Sequence, residues 1–169
     1  MTTVYISLGS NLGDREANLH QARERFNTSE LHLLRKSSIY ETEPRDVPEQ
    51  PWFLNQVVEV ETSLLPRELL AKLQGIETEM GRRRTTPKGP RIIDLDILVA
   101  GDAVITAPDL EIPHPRLAER RFVLEPLAEL SPELRHARTG QTVREMLMRV
   151  TGQAVTRYSP PSPIRLDER

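Results

Sequence analysis

In the segment 92–99, apolar residues alternate with Asp94 and Asp96, which is typical of a β-strand with one covered face. A period of two puts Asp94 and Asp96 on one face of this strand, together with Leu98. The opposite face carries only apolar residues: Ile93, Leu95, Ile97 and Val99. We therefore expect the apolar face to pack under helices. Both aspartates should lie on an open face, with their Cβ atoms roughly 6–7 Å apart.

Similar patterns predict three strands and two helices before this strand. The predicted strands cover residues 3–8, 33–42 and 53–62. One predicted helix covers residues 14–27, and Pro66 begins the other, which Gly81 ends. The order β-α-β-β-α-β predicts a ferredoxin-like α+β fold, an antiparallel sheet with both helices on one face. Residues 101–150 are expected as C-terminal additions, including a short helix at 143–150.

Composition limits the class of protein. With 169 residues, 37% of them hydrophobic, the chain is long enough for one folded domain and leaves little room for a second. The formal net charge of −2 argues against a general nucleic-acid binder, which is usually basic. The absence of cysteine excludes disulfides and thiolate metal sites.

The sequence also indicates the compartment and the extent of the domain. We find no signal-peptide pattern and no apolar run of about 20 residues, so we expect a cytoplasmic protein without a membrane span. We expect one domain over residues 1–152. Residues 153–169 should form a Pro-rich, poorly ordered tail.

The two aspartates are candidate metal ligands. Magnesium characteristically takes one or two protein carboxylates and completes its coordination with a substrate's phosphates. The strand alone fits equally well with a polar face that meets only water. Five cations within ten residues stand immediately before it, however: Arg82, Arg83, Arg84, Lys88 and Arg91. A basic loop alone is more often solvated or in contact with RNA, but beside an acid pair it indicates a nucleoside triphosphate site with magnesium.

Two further groups are candidates for binding. His114 stands between Pro113 and Pro115 on a stiff segment, where it could meet a phosphate, although a lone histidine is more often structural. Phe53 and Asn55 suit a flat heterocycle, because the ring can stack on it and the amide can bind its edge. The alternative is that Phe53 belongs to the core and Asn55 caps a turn. Glu77 fits either a polar helix face or a buried acceptor, and the sequence leaves both open.

Several segments together resemble one family, the 6-hydroxymethyl-7,8-dihydropterin pyrophosphokinases of folate biosynthesis. The resemblance covers roughly residues 3–150, and its most specific part is residues 89–98. The other matching segments are residues 9–13, 40–44, 50–55, 77–84 and 112–116. The resemblance implies a ferredoxin-like fold and transfer of pyrophosphate from ATP to the hydroxymethyl group of the dihydropterin, with release of AMP.

The resemblance also assigns roles to residues. Asp94 and Asp96 are implied to bind two magnesium ions, and Arg82 matches a mobile-loop arginine tied to catalysis. These three and Arg91 are the expected catalytic residues. The expected ATP contacts are Gln74, Arg84, Arg91, His114 and Arg120. The expected pterin contacts are Thr42, Pro44, Phe53, Asn55 and Phe122.

Two departures from the family pattern affect loops. Asp46 stands where many members have glycine, and Lys88 lies in a stretch where some carry tryptophan, in a loop that is one residue short. We expect ATP and a dihydropterin as the binding partners of a monomer, with no nucleic acid. The alternatives are another magnesium-dependent nucleotidyl or phosphoryl transferase, or an RNA-binding module of the same topology. The latter would carry aromatic residues on the sheet face where this chain has acids.

Overall fold

The computed structural model describes residues 1–43, 49–82 and 90–159. The strands are β1 (Thr2–Ser10), β2 (Leu31–Lys36), β3 (Tyr40–Thr42), β4 (Phe53–Thr62), β5 (Asp94–Ala100), β6 (Ile105–Ala107), β7 (Leu110–Ile112) and β8 (Val155–Arg157). The helices are α1 (Arg15–Glu24), α2 (Pro66–Glu79), α3 (Arg121–Leu130) and α4 (Val143–Arg149), with a 3-10 turn at Leu117–Glu119. Among these residues, no helix is both long and apolar enough to cross a membrane.

The main sheet is antiparallel and has the strand order β5-β1-β4-β3-β8, with β2 paired to β4 as well. β6 and β7 form a separate hairpin. The predicted α+β class with an antiparallel sheet is confirmed. The predicted order β-α-β-β-α-β is also present once β2 and β3 are counted as two pieces of one predicted strand.

The prediction of a single strand over 33–42 was wrong, because the chain leaves the ladder between β2 and β3. There the backbone N–H of Ser38 donates to Glu129 of α3 at 2.7 Å. Beside it, Ser37 binds the β4 backbone through its side chain as well as its main chain, with Val57 N donating to Ser37 Oγ at 3.0 Å. Such side-chain bonds to the backbone compete with regular strand pairing.

Local signals place both early helices. The side chain of Asp14 accepts from Ala17 N at 3.1 Å and caps α1, which ends at Glu24, three residues before the predicted limit. Pro66 begins α2 as predicted, and Glu68 accepts from Leu65 N at 2.8 Å. The chain turns away after α2 at Gly81, whose φ is +90°.

A β-bulge in β5 changes which face its last residues occupy. Tyr5 pairs with Val99 but the next residue, Ile6, pairs with Ile97, so Leu98 is left without a partner across the ladder. Ile97 packs in the core under α1 and α2, whereas Leu98 and Val99 both join a second core. The prediction that Val99 lies on the face covered by α1 and α2 was therefore wrong.

The second core also corrects the prediction of an open sheet face. It is formed with α3 and α4 through these buried residues: Val123, Leu124, Leu127, Val143 and Met146. The sheet thus has helices on both faces, α1 and α2 on one side and α3 and α4 on part of the other.

The C-terminal segment is ordered further than predicted. The expectation of a poorly ordered tail from residue 153 does not hold for Val155–Arg157, which form β8 and pair with β3 at the sheet edge. Residues 160–169 lie outside the described part of the chain.

Candidate active site

The candidate site lies on the sheet face beyond the layer of α3 and α4. Tyr5, Val57 and Leu98 are buried under these helices on three neighbouring strands. Two positions further along each strand, on the same face, polar residues replace the apolar ones. Together with the positions beyond them, they form the floor of a pocket: Ser7, Gly9, Phe53, Asn55, Asp94 and Asp96.

The two aspartates line the pocket, and Asp94 also contacts two arginines. Asp94 Oδ1 lies 2.9 Å from Arg82 Nη1, and Asp94 Oδ2 accepts from Arg91 Nη1 at 2.6 Å. Asp96 is half-buried and accepts no hydrogen bond from a side chain in the described part of the chain. Burial, and after it the charge of Asp94, raise the pKa of the Asp96 carboxyl from 3.8 to about 6. The charges of Arg120, Arg82 and Arg91 oppose this rise only in part.

Glu77 lies beneath the acid pair and is buried. Its Oε2 accepts from the backbone N–H of Leu95 at 2.9 Å and from Arg82 Nη1 at 2.6 Å. Burial raises the pKa of Glu77, against the effect of the Leu95 hydrogen bond and the Arg82 charge. Of the two alternatives that the sequence leaves open, the structure shows the buried acceptor, and it holds Arg82 against Asp94.

A histidine and two arginines form another wall of the pocket: His114, Arg116 and Arg120. The backbone N–H of His114 donates to Leu98 O at 2.9 Å, and its Nδ1 accepts from Arg116 N at 3.1 Å. Burial, followed by the charges of Arg120 and Arg116, lowers the pKa of His114 from 6.5 to about 4. His114 is therefore neutral near pH 7, and because its Nδ1 accepts a hydrogen bond, its Nε2 carries the proton and can donate one further hydrogen bond.

Two aromatic rings, an amide and a hydroxyl side chain form the remaining wall of the pocket. Asn55 and Thr42 are both buried, and Asn55 Nδ2 donates to Thr42 Oγ1 at 2.6 Å. Phe53 and Phe122 line the same pocket. Phe53 is outside both core clusters and Asn55 lies within β4, so neither of the two alternative roles considered from the sequence holds.

Most of the predicted site residues therefore line one pocket: Thr42, Phe53, Asn55, Arg91, Asp94, Asp96, His114, Arg120 and Phe122. Arg82 reaches it through Asp94. Gln74 is on the exposed side of α2 and is not part of the pocket lining. Five residues singled out from the sequence lie outside the described residues: Pro44, Asp46, Arg83, Arg84 and Lys88.

Sequence reasoning missed Asn11, which is buried and joins three segments. Its Oδ1 accepts from Arg91 N at 2.7 Å, and its backbone N–H donates to Arg91 O at 3.0 Å. Its Nδ2 donates to Gln50 Oε1 at 3.0 Å and to Pro51 O at 3.2 Å. The sequence shows an amide side chain inside the turn 9–13, but its hydrogen-bond partners are distant in sequence and cannot be predicted from local spacing.

The acid pair fits a magnesium ion only in company with a phosphate ligand. Among the described residues, no group of three or more carboxylate or histidine side chains could hold a metal ion. Asp94 and Asp96 supply two oxygen ligands from one strand face, which is the usual protein share for magnesium bound with a nucleotide. The surrounding arginines suit the phosphates of that nucleotide.

Comparisons with known proteins agree with this chemistry. The family model of 7,8-dihydro-6-hydroxymethylpterin-pyrophosphokinase (HPPK) matches residues 5–132. The 2-amino-4-hydroxy-6-hydroxymethyldihydropteridine pyrophosphokinase of Bacillus subtilis is 46% identical over 143 residues, which are 83% of this chain and 86% of that protein. The folic acid synthesis protein fol1 of Pneumocystis carinii is 43% identical over 157 residues, 93% of this chain, but the match spans only 21% of the fungal protein.

A solved structure agrees at the level of the fold. The HPPK-DHPS of Plasmodium falciparum superposes with a TM-score of 0.71 at 18% identity, over 88% of this chain and 43% of that one. The family match and the close bacterial relative together show that this chain belongs to the 7,8-dihydro-6-hydroxymethylpterin-pyrophosphokinase (HPPK) family.

Proposed function

We propose that this protein transfers pyrophosphate from ATP to the hydroxymethyl group of 6-hydroxymethyl-7,8-dihydropterin, giving AMP and the pterin diphosphate. The observation that carries the proposal is that one pocket holds two chemically different groups of residues on opposite sides. An acid pair with arginines lies at one side, and a buried amide with aromatic rings lies at the other. Family membership and the names of its relatives support the same reaction.

On the nucleotide side, Asp94 and Asp96 are the residues that would hold magnesium, and we propose two ions. Magnesium, when bound, supplies charge neutralisation for the triphosphate. Arg91 and Arg82 both contact Asp94 in the free protein and are cations available to the phosphates once the carboxylate takes a metal. We further propose ATP contacts by Gln74, Arg84, His114 and Arg120.

On the pterin side, Asn55 and Thr42 would bind the edge of the heterocycle between the rings of Phe53 and Phe122. The 2.6 Å hydrogen bond to Thr42 fixes the amide orientation, because Nδ2 is committed as a donor. Oδ1 then remains as an acceptor for a ring N–H. Pro44 is proposed as a further pterin contact.

The reaction proposed is an in-line displacement at the β-phosphorus. The hydroxymethyl oxygen bonds to that phosphorus, the bond from the β-phosphorus to the oxygen bridging it to the α-phosphate breaks, and AMP leaves with the electron pair. The hydroxyl proton is released. Holding the two substrates in line and neutralising the phosphates supply most of the rate in such transfers. Arg82, held by Glu77 at 2.6 Å, is the arginine proposed to stabilise the developing charge.

The test combines a product assay with one variant pair. With ATP, magnesium and the dihydropterin, we expect AMP as the nucleotide product, detected by chromatography. The Asp96→Asn variant should lose turnover by about a thousandfold or more, since it removes a metal ligand. The Asp102→Asn variant is the matched control, because Asp102 is exposed in the turn that follows β5, at the end of the strand away from the pocket. ADP as the product, or near-normal activity of Asp96→Asn at ordinary magnesium, would contradict the proposal.

Oligomeric state and compartment are also predictions. We propose a monomer that acts in the cytoplasm. Light scattering of the purified protein at working concentration tests the first, and a fluorescent fusion in the source cell tests the second.

A further inference from the structure

The residues that follow α4 are tied to a wall of the pocket through Gln153. Its Oε1 accepts from Arg121 N at 3.0 Å, and its Nε2 donates to Glu119 O at 2.9 Å. The two bonds therefore bracket Arg120. Arg121 is the first residue of α3, whose early N–H groups lack partners within the helix and whose own N-cap side chain accepts no hydrogen bond. Gln153 thus caps α3 from a distance and fixes the turn that carries Arg120 into the pocket.

The same segment is tied to a second wall through β8. β3 pairs with β4 on one side and with β8 on the other, where Thr42 lies opposite Val155. Tyr158 N extends this attachment by donating to Ile39 O at 2.8 Å. Without β8, β3 would be a three-residue strand at a sheet edge, held from one side only.

Side chains reinforce the attachment of β8. Glu129 Oε1 accepts from Tyr40 Oη at 2.8 Å and from Arg157 Nη2 at 3.3 Å. The Arg157 guanidinium also lies over the Tyr40 ring, 5.8 Å from its centre. These contacts link β8 and β3 to α3, the helix whose first turn Gln153 caps.

We infer that residues 153–158, which we name the C-terminal strap, position the two substrate-binding walls of the pocket relative to each other. One end fixes the turn that presents Arg120 and Phe122, and the other fixes the strand that presents Thr42 to Asn55. The inference rests on the proposed function for the identity of the substrates. Gln153 is then a positioning residue, since it touches neither substrate and acts through Arg120 and Phe122.

The strap is well suited to affect binding more than folding. Gln153 and Val155 are only half-buried, and Thr156 and Arg157 are exposed. None of these side chains belongs to either core cluster, and of the strap's other residues the half-buried Tyr158 packs against the first core. Because core burial dominates stability, loss of the strap should change the pocket at a modest cost to the fold.

The first experiment compares Gln153→Ala with Thr156→Ala in the full-length protein. Thr156 is exposed in the same strap and pairs with Glu41 through its backbone, so its side chain serves as the control. For Gln153→Ala we expect KM for the dihydropterin to rise about fivefold or more, as for two lost hydrogen bonds, with kcat within about twofold of normal. Thr156→Ala should behave as the unaltered protein.

The second experiment compares two truncations. Removal of residues 160–169 keeps the strap and should leave both KM values unchanged. Removal of residues 153–169 should raise KM for the dihydropterin by about tenfold or more, since it also releases β3. If this shorter chain does not fold, as judged by circular dichroism, Gln153→Ala alone decides.

The outcomes separate the inference from the proposed function. If the full-length protein forms no pterin diphosphate, the proposed function fails. If it forms the product and Gln153→Ala keeps normal KM values, the strap inference is overturned. A Gln153→Ala variant that loses kcat and thermal stability in proportion, with KM unchanged, would show a structural role only and would overturn it as well.

Discussion

The surroundings of Asp96 make the stability of the protein depend on pH. Its pKa in the folded state is about 6, against 3.8 for an ordinary aspartate, because burial and Asp94 disfavour the ionised form. Folding therefore becomes less favourable as the pH rises from about 4 to about 6, and the loss is complete above that range. A shift of about two pKa units corresponds to roughly 2–3 kcal/mol.

The Asp96→Asn variant should therefore stabilise the metal-free protein near neutral pH while abolishing turnover. The gain in unfolding free energy should be about 2 kcal/mol near pH 7 and should vanish below about pH 3, where Asp96 is protonated in both states. Urea unfolding of both proteins with a chelator present measures this difference. Equal unfolding free energies of the two proteins near pH 7 would show that the ionised Asp96 carboxylate does not destabilise the fold.

His114 has the opposite pH dependence. Its pKa is lowered from 6.5 to about 4, so the unfolded chain takes up a proton before the folded one does. Its contribution to stability is complete above about pH 6.5 and is lost as the pH falls towards 4. Proton NMR should show the His114 ring neutral at about pH 6, where an unperturbed histidine is largely protonated. The His114→Asn spectrum identifies the signal, and titration of that signal near pH 6.5 would contradict the buried, cation-facing site.

Residue chemistry could be predicted where it depends on local spacing. The common face of Asp94 and Asp96 follows from strand periodicity, because residues two apart share a face wherever the strand is regular, as it is between these two aspartates. The bond from Asn55 to Thr42 needs the register of β3 against β4, and the contact of Glu77 with Leu95 N needs the packing of α2 under β5. Such tertiary contacts have no signature in local spacing.

At the scale of elements, the site forms where the strands β1, β4 and β5 change from apolar to polar residues on the same face and at the same level of the sheet. Gly9 is the point of closest approach, since a Cβ there would lie 3.1 Å from Asn55 Oδ1 and 3.6 Å from Phe53 Cδ1. Asn55 cannot retreat freely, because Thr42 holds its Nδ2. The missing side chain at Gly9 therefore keeps the pterin-side wall in place.

The Gly9→Ala variant should weaken binding of the dihydropterin by about tenfold and leave nucleotide binding unchanged. Gly75→Ala is the matched control, because nothing lies within 4 Å of that position in α2 and alanine favours a helix by roughly 1 kcal/mol. Isothermal titration with each substrate measures both affinities. An equal loss of nucleotide and pterin affinity in Gly9→Ala would instead indicate general damage to the sheet.

Elements were predictable from patterns but their ends were not. Leu69, Leu73 and Ile76 are buried as the helical spacing of α2 predicts. The bulge at Leu98 could not be predicted, since residues 97–99 are all apolar and their pattern does not show which face each one occupies. The pairing with β1 creates it, and it moves Val99 to the second core.

At the scale of the whole molecule, two helical layers share one antiparallel sheet unequally. α1 and α2 cover one face, while α3 and α4 cover only part of the other and leave the pocket beyond them. The order of the first six elements could be predicted, but the arrangement of residues 101–159 could not. Their short elements pack through contacts with strands that are far away in sequence.

The central claim is that both terminal phosphates of ATP move together to the pterin. ATP labelled separately at the α-, β- or γ-phosphorus, with the dihydropterin and magnesium, tests this directly. We predict that the β- and γ-labels both appear in the pterin product and that the α-label remains in AMP. Transfer of the γ-label alone, or of the α-label, would show phosphoryl or nucleotidyl transfer and would contradict the account.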